Sequence, residues 1–186
     1  DQGKDYVSAI IDSVGRLTEQ VENVLDLSQS EAGLLPITKE RMELMPFVTQ
    51  VVREREQAIV DAGLTLDLRG SAGGKIEADQ RQLGRALGHL LDNAIAATPK
   101  GGKILVDVGK PKGVARIVVS DNGRGMAKAE LARALDGLRE NKDGSGLEKR
   151  QGLGIPLARQ LVEAHGGSLE ILSRQGAGTT ATILIP

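Results

Sequence analysis

Asp121 begins the run Asp-Asn-Gly-Arg-Gly-Met (121–126), which sets a carboxylate beside two glycines at the end of an apolar, β-branched stretch, Arg116 to Ser120. That stretch predicts a buried strand, and such a strand delivers Asp121 to a sheet edge with its acceptor oxygens free for a ligand's donor. Gly123 and Gly125 allow positive φ and the approach of a flat ligand without a Cβ in the way. Alone, Asp-Asn-Gly reads as an ordinary turn; its partners elsewhere in the chain give it a chemical reading. Asn93 offers a neutral carbonyl oxygen of the kind that suits Mg²⁺, a hard cation that keeps most of its waters and binds through few protein ligands plus phosphates. Arg85, His89 and Asn93 recur every four residues and stack on one helix face, where a solvated polar stripe is the plain alternative. Gly152-Leu153-Gly154 leads into a helix and would present backbone N–H groups and a positive dipole end to phosphate. Gly176-Ala177-Gly178 precedes Thr179 and Thr180, whose hydroxyls are expected near the same polyphosphate.

The elements that must position these residues follow from periodicity. From Val7 a heptad runs through Val7, Ile10, Val14, Leu17, Val21 and Val24, a helix that wants a partner helix and stops near Gly33 and Pro36. A short strand is expected over 37–44 and a helix from Pro46 to about Ala62, with Arg53, Glu54, Arg55 and Glu56 as its solvated face. Leu64, Leu66 and Leu68 alternate as a half-buried strand, 71–74 is a turn, and 75–78 is a strand. Asp79 is the predicted N-cap of a helix over 80–97 whose apolar face is Leu83, Leu87, Leu90, Leu91, Ala94 and Ile95. Strands at 104–108 and 114–120 form a hairpin, and a helix over 128–138 precedes a polar, glycine-containing loop at 140–151. A helix at 155–165 ends at Gly166-Gly167, and strands at 168–173 and 179–185 close the chain.

The 186 residues suffice for a substantial core and suggest one domain with an appendage. Net charge is −1, so no global field steers the chain toward nucleic acid or an anionic membrane, and any phosphate site must be local. Aromatic residues make up 1%, which removes stacking on bases as a way of holding nucleic acid. The absence of cysteine excludes a disulfide framework and thiolate chemistry and fits a reducing compartment, with the cytoplasm the expected location. No run is apolar enough to span a bilayer, although a longer parent protein could be membrane-anchored.

Taken in order, His-Leu-Leu-Asp-Asn-Ala (89–94), the 121–126 run, Gly-Leu-Gly-Ile (152–155) with Gly166-Gly167, and Gly-Ala-Gly-Thr-Thr (176–180) resemble the N, G1, G2 and G3 boxes of bacterial sensor histidine kinases. Leu-Asp-Leu-Ser-Gln-Ser-Glu-Ala-Gly (25–33) is similar to the end of the second dimerisation helix in these kinases, so the resemblance covers essentially the whole chain. The wording is also similar to that of alphaproteobacterial members, including the DivL type, whose acceptor is a tyrosine and whose role is largely regulatory. The resemblance implies an α+β fold, a two-layer α/β sandwich with a mixed sheet (the Bergerat fold shared with gyrase, Hsp90 and MutL). It divides the chain into a partial dimerisation helix, 1–33, and a catalytic ATP-binding domain, 34–186. It implies further that Asn93 coordinates Mg²⁺, that His89 and Asn93 hold the catalytic positions, and that Asp121 accepts from the adenine amine. Gly123, Gly125 and Met126 would receive the ring, Gly152, Leu153 and Gly154 would line the phosphates, and Thr179 or Thr180 would sit near the base. ATP, the dimerisation helices of a homodimer and a response regulator are the implied partners, with no nucleic acid.

The chain departs from the family pattern at informative places. His89 stands where the first N-box position is often Asn, and Ala96-Ala97 replace a Lys-aromatic pair, removing a phosphate-binding cation that Lys142, Lys149 or Arg150 could replace. Neither histidine, His89 or His165, lies in a phospho-acceptor context, so the acceptor is expected upstream. An active kinase domain is therefore weighed against a degenerate module that keeps the fold and regulates partners by contact. A gyrase- or MutL-like ATPase is disfavoured, since those enzymes carry a catalytic glutamate where His89 stands.

Overall fold

The computed structural model describes Val14 and residues 36–70, 74–136 and 153–186. The heptad seam apart from Val14, most of the 71–74 turn, the end of the 128–138 helix, the polar loop at 140–151 and Gly152 lie outside the described residues. Contacts divide the chain into two units, Asp1–Pro36 and Ile37–Pro186. The second is built from β1 (Glu40–Glu43), α1 (Leu44–Arg53), α2 (Glu56–Asp61), β2 (Thr65–Gly70), β3 (Lys75–Ala78), α3 (Gln80–Ala97), β4 (Lys103–Gly109), β5 (Ala115–Asp121), α4 (Lys128–Asp136), α5 (Gly154–Ala164), β6 (Ser168–Arg174) and β7 (Gly178–Ile185).

Five strands form a mixed sheet in the order β2-β4-β5-β7-β6, parallel between β2 and β4 and antiparallel elsewhere. Strand alternation sends Ile104, Val106, Ala115, Ile117, Val119, Ala181 and Ile183 to one buried face, while Arg116, Val118, Thr182 and Leu184 remain half-exposed on the other. The helices cover the buried face, giving a two-layer α/β sandwich. Fully buried Leu83, Leu87 and Leu91 of α3 and Leu157 and Leu161 of α5 lie in its core, where the two helices pack together. Burying a leucine of this kind contributes about 1.5–3 kcal/mol. β1 pairs only with β3, in a separate two-stranded ribbon.

Three expectations change. The helix expected to run unbroken to Ala62 is two helices, because Arg55 leaves helical geometry with φ −111° and ψ 3°. Arg55 is also no solvated residue. Its guanidinium grips Asp92 of α3 with Nε–Oδ1 2.9 Å and Nη2–Oδ2 3.3 Å, and it lies over Gly88, where an added Cβ would stand 2.1 Å from Nη2. A bidentate, partly buried pair of this kind holds geometry better than an exposed one. Finally, β5 is the central strand, so Asp121 ends a fully paired strand, with Ile104 on one side and Thr179 on the other, and does not stand at a sheet edge.

Candidate functional site

Asp121 is half-buried, and its Oδ1 accepts the N–H of Gly123 at 2.8 Å and of Thr179 at 3.3 Å. The expectation of two free oxygens is thus corrected: no donor among the described residues reaches Oδ2. Burial pushes this carboxyl above its ordinary value, and the two backbone amides pull it back without cancelling the effect. The glycines of the turn answer first to the protein's own backbone. A Cβ on Gly123 would stand 2.4 Å from the Ala97 carbonyl oxygen, and one on Gly125, at φ +58°, would stand 2.0 Å from that of Arg174. Close approach to a ligand is not what these two positions first require.

That turn is tied to the elements around it. Arg124 N–H donates to the Ala97 carbonyl at 3.0 Å, Gly176 N–H to the Arg124 carbonyl at 2.7 Å, and Met126 N–H to Ser173 Oγ at 2.8 Å. Ser173 Oγ also lies 2.8 Å from Thr179 Oγ1, so Thr179 belongs to the cluster around Asp121. Thr180 does not. Strand alternation puts it on the opposite sheet face, where its hydroxyl meets Ser120 Oγ at 2.9 Å. Ser173 is a site residue that the sequence did not mark, since a lone serine near a strand end carries no signal.

The second cluster lies one helical turn back along α3, about 6 Å. A Cβ on Gly154, the first residue of α5, would stand 3.3 Å from Asn93 Nδ2 and 3.6 Å from His89 Cβ, so the start of α5 rests against both residues. Asn93 Nδ2 and His89 Nε2 are buried without hydrogen-bond partners among the described residues. Buried polar atoms are otherwise nearly always paired, so two orphans on one face mark a place where a water, ion or ligand would complete the bonding. A half-turn of the Asn93 amide exchanges its nitrogen and oxygen, and either can face that space. Burial keeps the His89 imidazole below its ordinary value; Asp92 opposes the shift, and Arg85 and Arg55 add to it. α5 starts at Leu153-Gly154 with no side-chain cap and no acidic residue in its first turn, and Pro156 sits where a missing N–H costs nothing. Its first N–H groups and dipole remain available to an anion. An amide oxygen beside uncapped helix amides is a donor set that fits Mg²⁺ shared with phosphate oxygens.

A covered sheet with a carboxylate at the end of its central strand, and an Asn facing a glycine-started helix, define a Bergerat-type nucleotide-binding domain. Residues 78–186 match the family described as histidine kinase-, DNA gyrase B- and HSP90-like ATPase, and the chain belongs to it. The chain is 31% identical to the sensor protein DivL of Caulobacter vibrioides, over 100% of its own length and 24% of that protein, and 32% identical to the histidine protein kinase DivJ of the same organism, over 100% and 31%. It thus spans about a quarter to a third of these relatives. Histidine kinase AdeS of Acinetobacter baumannii superposes with a TM-score of 0.76 at 22% identity, over 96% of this chain and 82% of that one. Full-length ShkA, solved in complex with AMPPNP, gives 0.79 at 22% identity, over 100% and 39%.

Proposed function

We propose that this chain binds ATP with Mg²⁺ and is the catalytic domain of a two-component sensor histidine kinase, passing the γ-phosphoryl group to a histidine outside residues 1–186 for onward transfer to a response regulator. The observation that supports this most is Asp121: Oδ1 is held by two backbone amides and Oδ2 is left to accept, which suits the exocyclic amine of adenine. Thr179, Gly123, Gly125 and Met126 would frame the base. Gly152, Leu153 and Gly154 would bring the start of α5 to the phosphates, and Asn93 would hold the cation, with His89 beside it. Mg²⁺ supplies charge neutralisation on the phosphates, and the protein's part is positioning. The AMPPNP bound to ShkA, an ATP analogue on a similar fold, lends support.

Dimerisation helices of a homodimer would present the acceptor in the cytoplasm. His89 and His165 are poor acceptors: the first has its free nitrogen buried, and the second is fully buried with both ring nitrogens hydrogen-bonded.

Ala96 and Ala97, standing where the family's cation-bearing pair stands, favour a second reading in which the domain grips nucleotide weakly or not at all and regulates partners by contact. Calorimetric titration with ATP, with and without Mg²⁺, followed by incubation of the chain with γ-labelled ATP and an acceptor-bearing helical domain, tests both. Binding with acid-labile label on the helix is the kinase result. Binding without label is the regulatory module, and no binding in either condition overturns the nucleotide reading.

A further inference from the structure

We propose that Nε2 of His89 is a direct ligand of the divalent cation that accompanies the nucleotide, so that this site favours Mn²⁺ over Mg²⁺. The inference rests on the nucleotide reading above and adds to it a residue and a cation preference. Nε2 of His89 is buried and has no hydrogen-bond partner among the described residues. An imidazole that merely packed would place its polar nitrogens in solvent or on backbone groups, as His165 does with the Leu161 carbonyl and the Asp79 N–H. His89 precedes Asn93 by one turn on the same face of α3, and Gly154 closes over both of them. The orphaned nitrogen therefore belongs to the space that holds the orphaned amide.

The chemistry follows from the residue type. Mg²⁺ takes oxygen ligands and gives up its waters reluctantly, whereas a neutral imidazole suits transition metals, with Mn²⁺ the member of that series closest to Mg²⁺ in its use of carboxylate and phosphate oxygen. A pair of amide side chains at positions 89 and 93 would offer oxygen twice and no such preference; His89 replaces one oxygen with nitrogen. Among the described residues no three His, Asp or Glu side chains gather as a metal cluster. The cation is accordingly held jointly with phosphate oxygens and binds only with nucleotide.

Pulsed electron paramagnetic resonance on Mn²⁺ with AMPPNP tests this, using the whole chain prepared with nitrogen-15 histidine. The expected result is a nitrogen-15 coupling of directly bound imidazole that requires AMPPNP and disappears in His89→Asn. His165 is not a second source, because both its ring nitrogens are engaged. Loss of an outer-shell partner alone costs roughly 10- to 100-fold in metal affinity, so His89→Asn is expected to lower Mn²⁺-supported AMPPNP affinity at least about tenfold, a larger loss than in Mg²⁺-supported affinity, so that the ratio of the two falls. Bound Mn²⁺ and AMPPNP without histidine coupling in the unsubstituted chain overturns the proposal while leaving the nucleotide reading intact. An unchanged ratio of Mn²⁺- to Mg²⁺-supported affinity in His89→Asn overturns it as well. Failure of AMPPNP to bind with either cation overturns both readings.

Discussion

The backbone N–H of Asp79 donates to Nε2 of His165 at 3.0 Å, joining the start of α3 to the end of α5. Nδ1 of the same ring lies 2.7 Å from the Leu161 carbonyl, which fixes the tautomer: Nδ1 carries the proton and Nε2 accepts. Lys39 Nζ donates to the His165 carbonyl at 2.9 Å, and Asp79 Oδ2 accepts from Thr38 N–H at 2.9 Å. At the opposite end of this antiparallel pair Gly154 rests on Asn93 and His89. The helix that brings its N–H groups to the site is thus pinned about 16 Å away, the length of its 11 residues.

Removing that pin should loosen both fold and site. His165→Ala leaves the Asp79 N–H unpaired and opens space in a fully buried position, so it is expected to cost about 2–4 kcal/mol. Urea unfolding measures the loss. Nucleotide affinity of the still-folded protein should fall as well, because α5 is then held at one end only. A variant as stable as the parent would show that neither the hydrogen bond nor the packing of this ring supports the fold.

Asp79 carries a second prediction, read from acid. Burial raises its carboxyl, but the N–H groups of Gln82 and Thr38 outweigh burial and hold it below the usual range. A folded value below the unfolded one means that the unfolded chain binds the extra proton, so this stabilisation is present above about pH 4 and is lost as pH falls through the folded value. Asp79→Ala should cost about 1 kcal/mol at neutral pH as a lost N-cap, and the gap to the parent should narrow as pH falls below about 4 and through the folded value. Denaturant midpoints across that range decide it; a gap that stays constant would remove the charge from the account.

Asp121 has the opposite sign. Burial raises it above its unfolded value, so between about pH 4 and the folded value the native state holds the extra proton, and stability from this group falls as pH rises. Its ionised form is therefore the one that costs stability. Asp121→Asn keeps an acceptor for Gly123 and Thr179 and removes the charge, so it should melt no lower than the parent at pH 7. ATP affinity should nevertheless drop roughly tenfold to a hundredfold, from losing about 1.5–3 kcal/mol, and preference over GTP should shrink. Lower melting with unchanged selectivity would mark Asp121 as structural.

Periodicity located α3 because an 18-residue helix carries five turns of evidence and Asp79 caps it in the sequence as in space. The strand pattern likewise placed β4 to β7, since alternating burial writes itself into alternating side chains. The break at Arg55 was hidden because its cause, the grip on Asp92, lies 37 residues away. Strand order escaped for the same reason, so Asp121 was expected at an edge of a sheet whose centre it occupies. The faces of Thr179 and Thr180 follow from register with β5, and register is a pairing property that one strand cannot reveal. Glycine spacing gave the right turns with an incomplete reason, because the atoms that exclude a Cβ at Gly123 and Gly125 belong to Ala97 and Arg174.

Asn93 should act through the cation and hardly through the fold. Its amide nitrogen already lacks a partner, so Asn93→Ala removes no hydrogen bond of the described structure and should change stability by less than about 1 kcal/mol. Mg²⁺-dependent enhancement of ATP binding should largely vanish. Calorimetry with and without Mg²⁺, beside a thermal melt, separates the two roles: a sharp drop in melting with Mg²⁺ dependence intact would make Asn93 a packing residue.

The last prediction is that the 186-residue chain does not label itself. Phosphoryl transfer to histidine needs an exposed ring nitrogen with a free lone pair, in line with the γ-phosphate. His165 is 0% exposed, with Nδ1 on the Leu161 carbonyl and Nε2 on the Asp79 amide, so it could accept only by unfolding the junction of α3 and α5. His89 has its Nε2 buried near Asn93 and the start of α5, and under the cation proposal that nitrogen would already be engaged. Incubation with γ-labelled ATP and Mg²⁺ should therefore leave the chain unlabelled, while the same domain mixed with a helical segment bearing an acceptor histidine should label that segment. Acid-labile label on the chain alone, removed by His89→Asn, would mean that the buried imidazole reaches the phosphate after all and that the cation assignment for His89 is wrong.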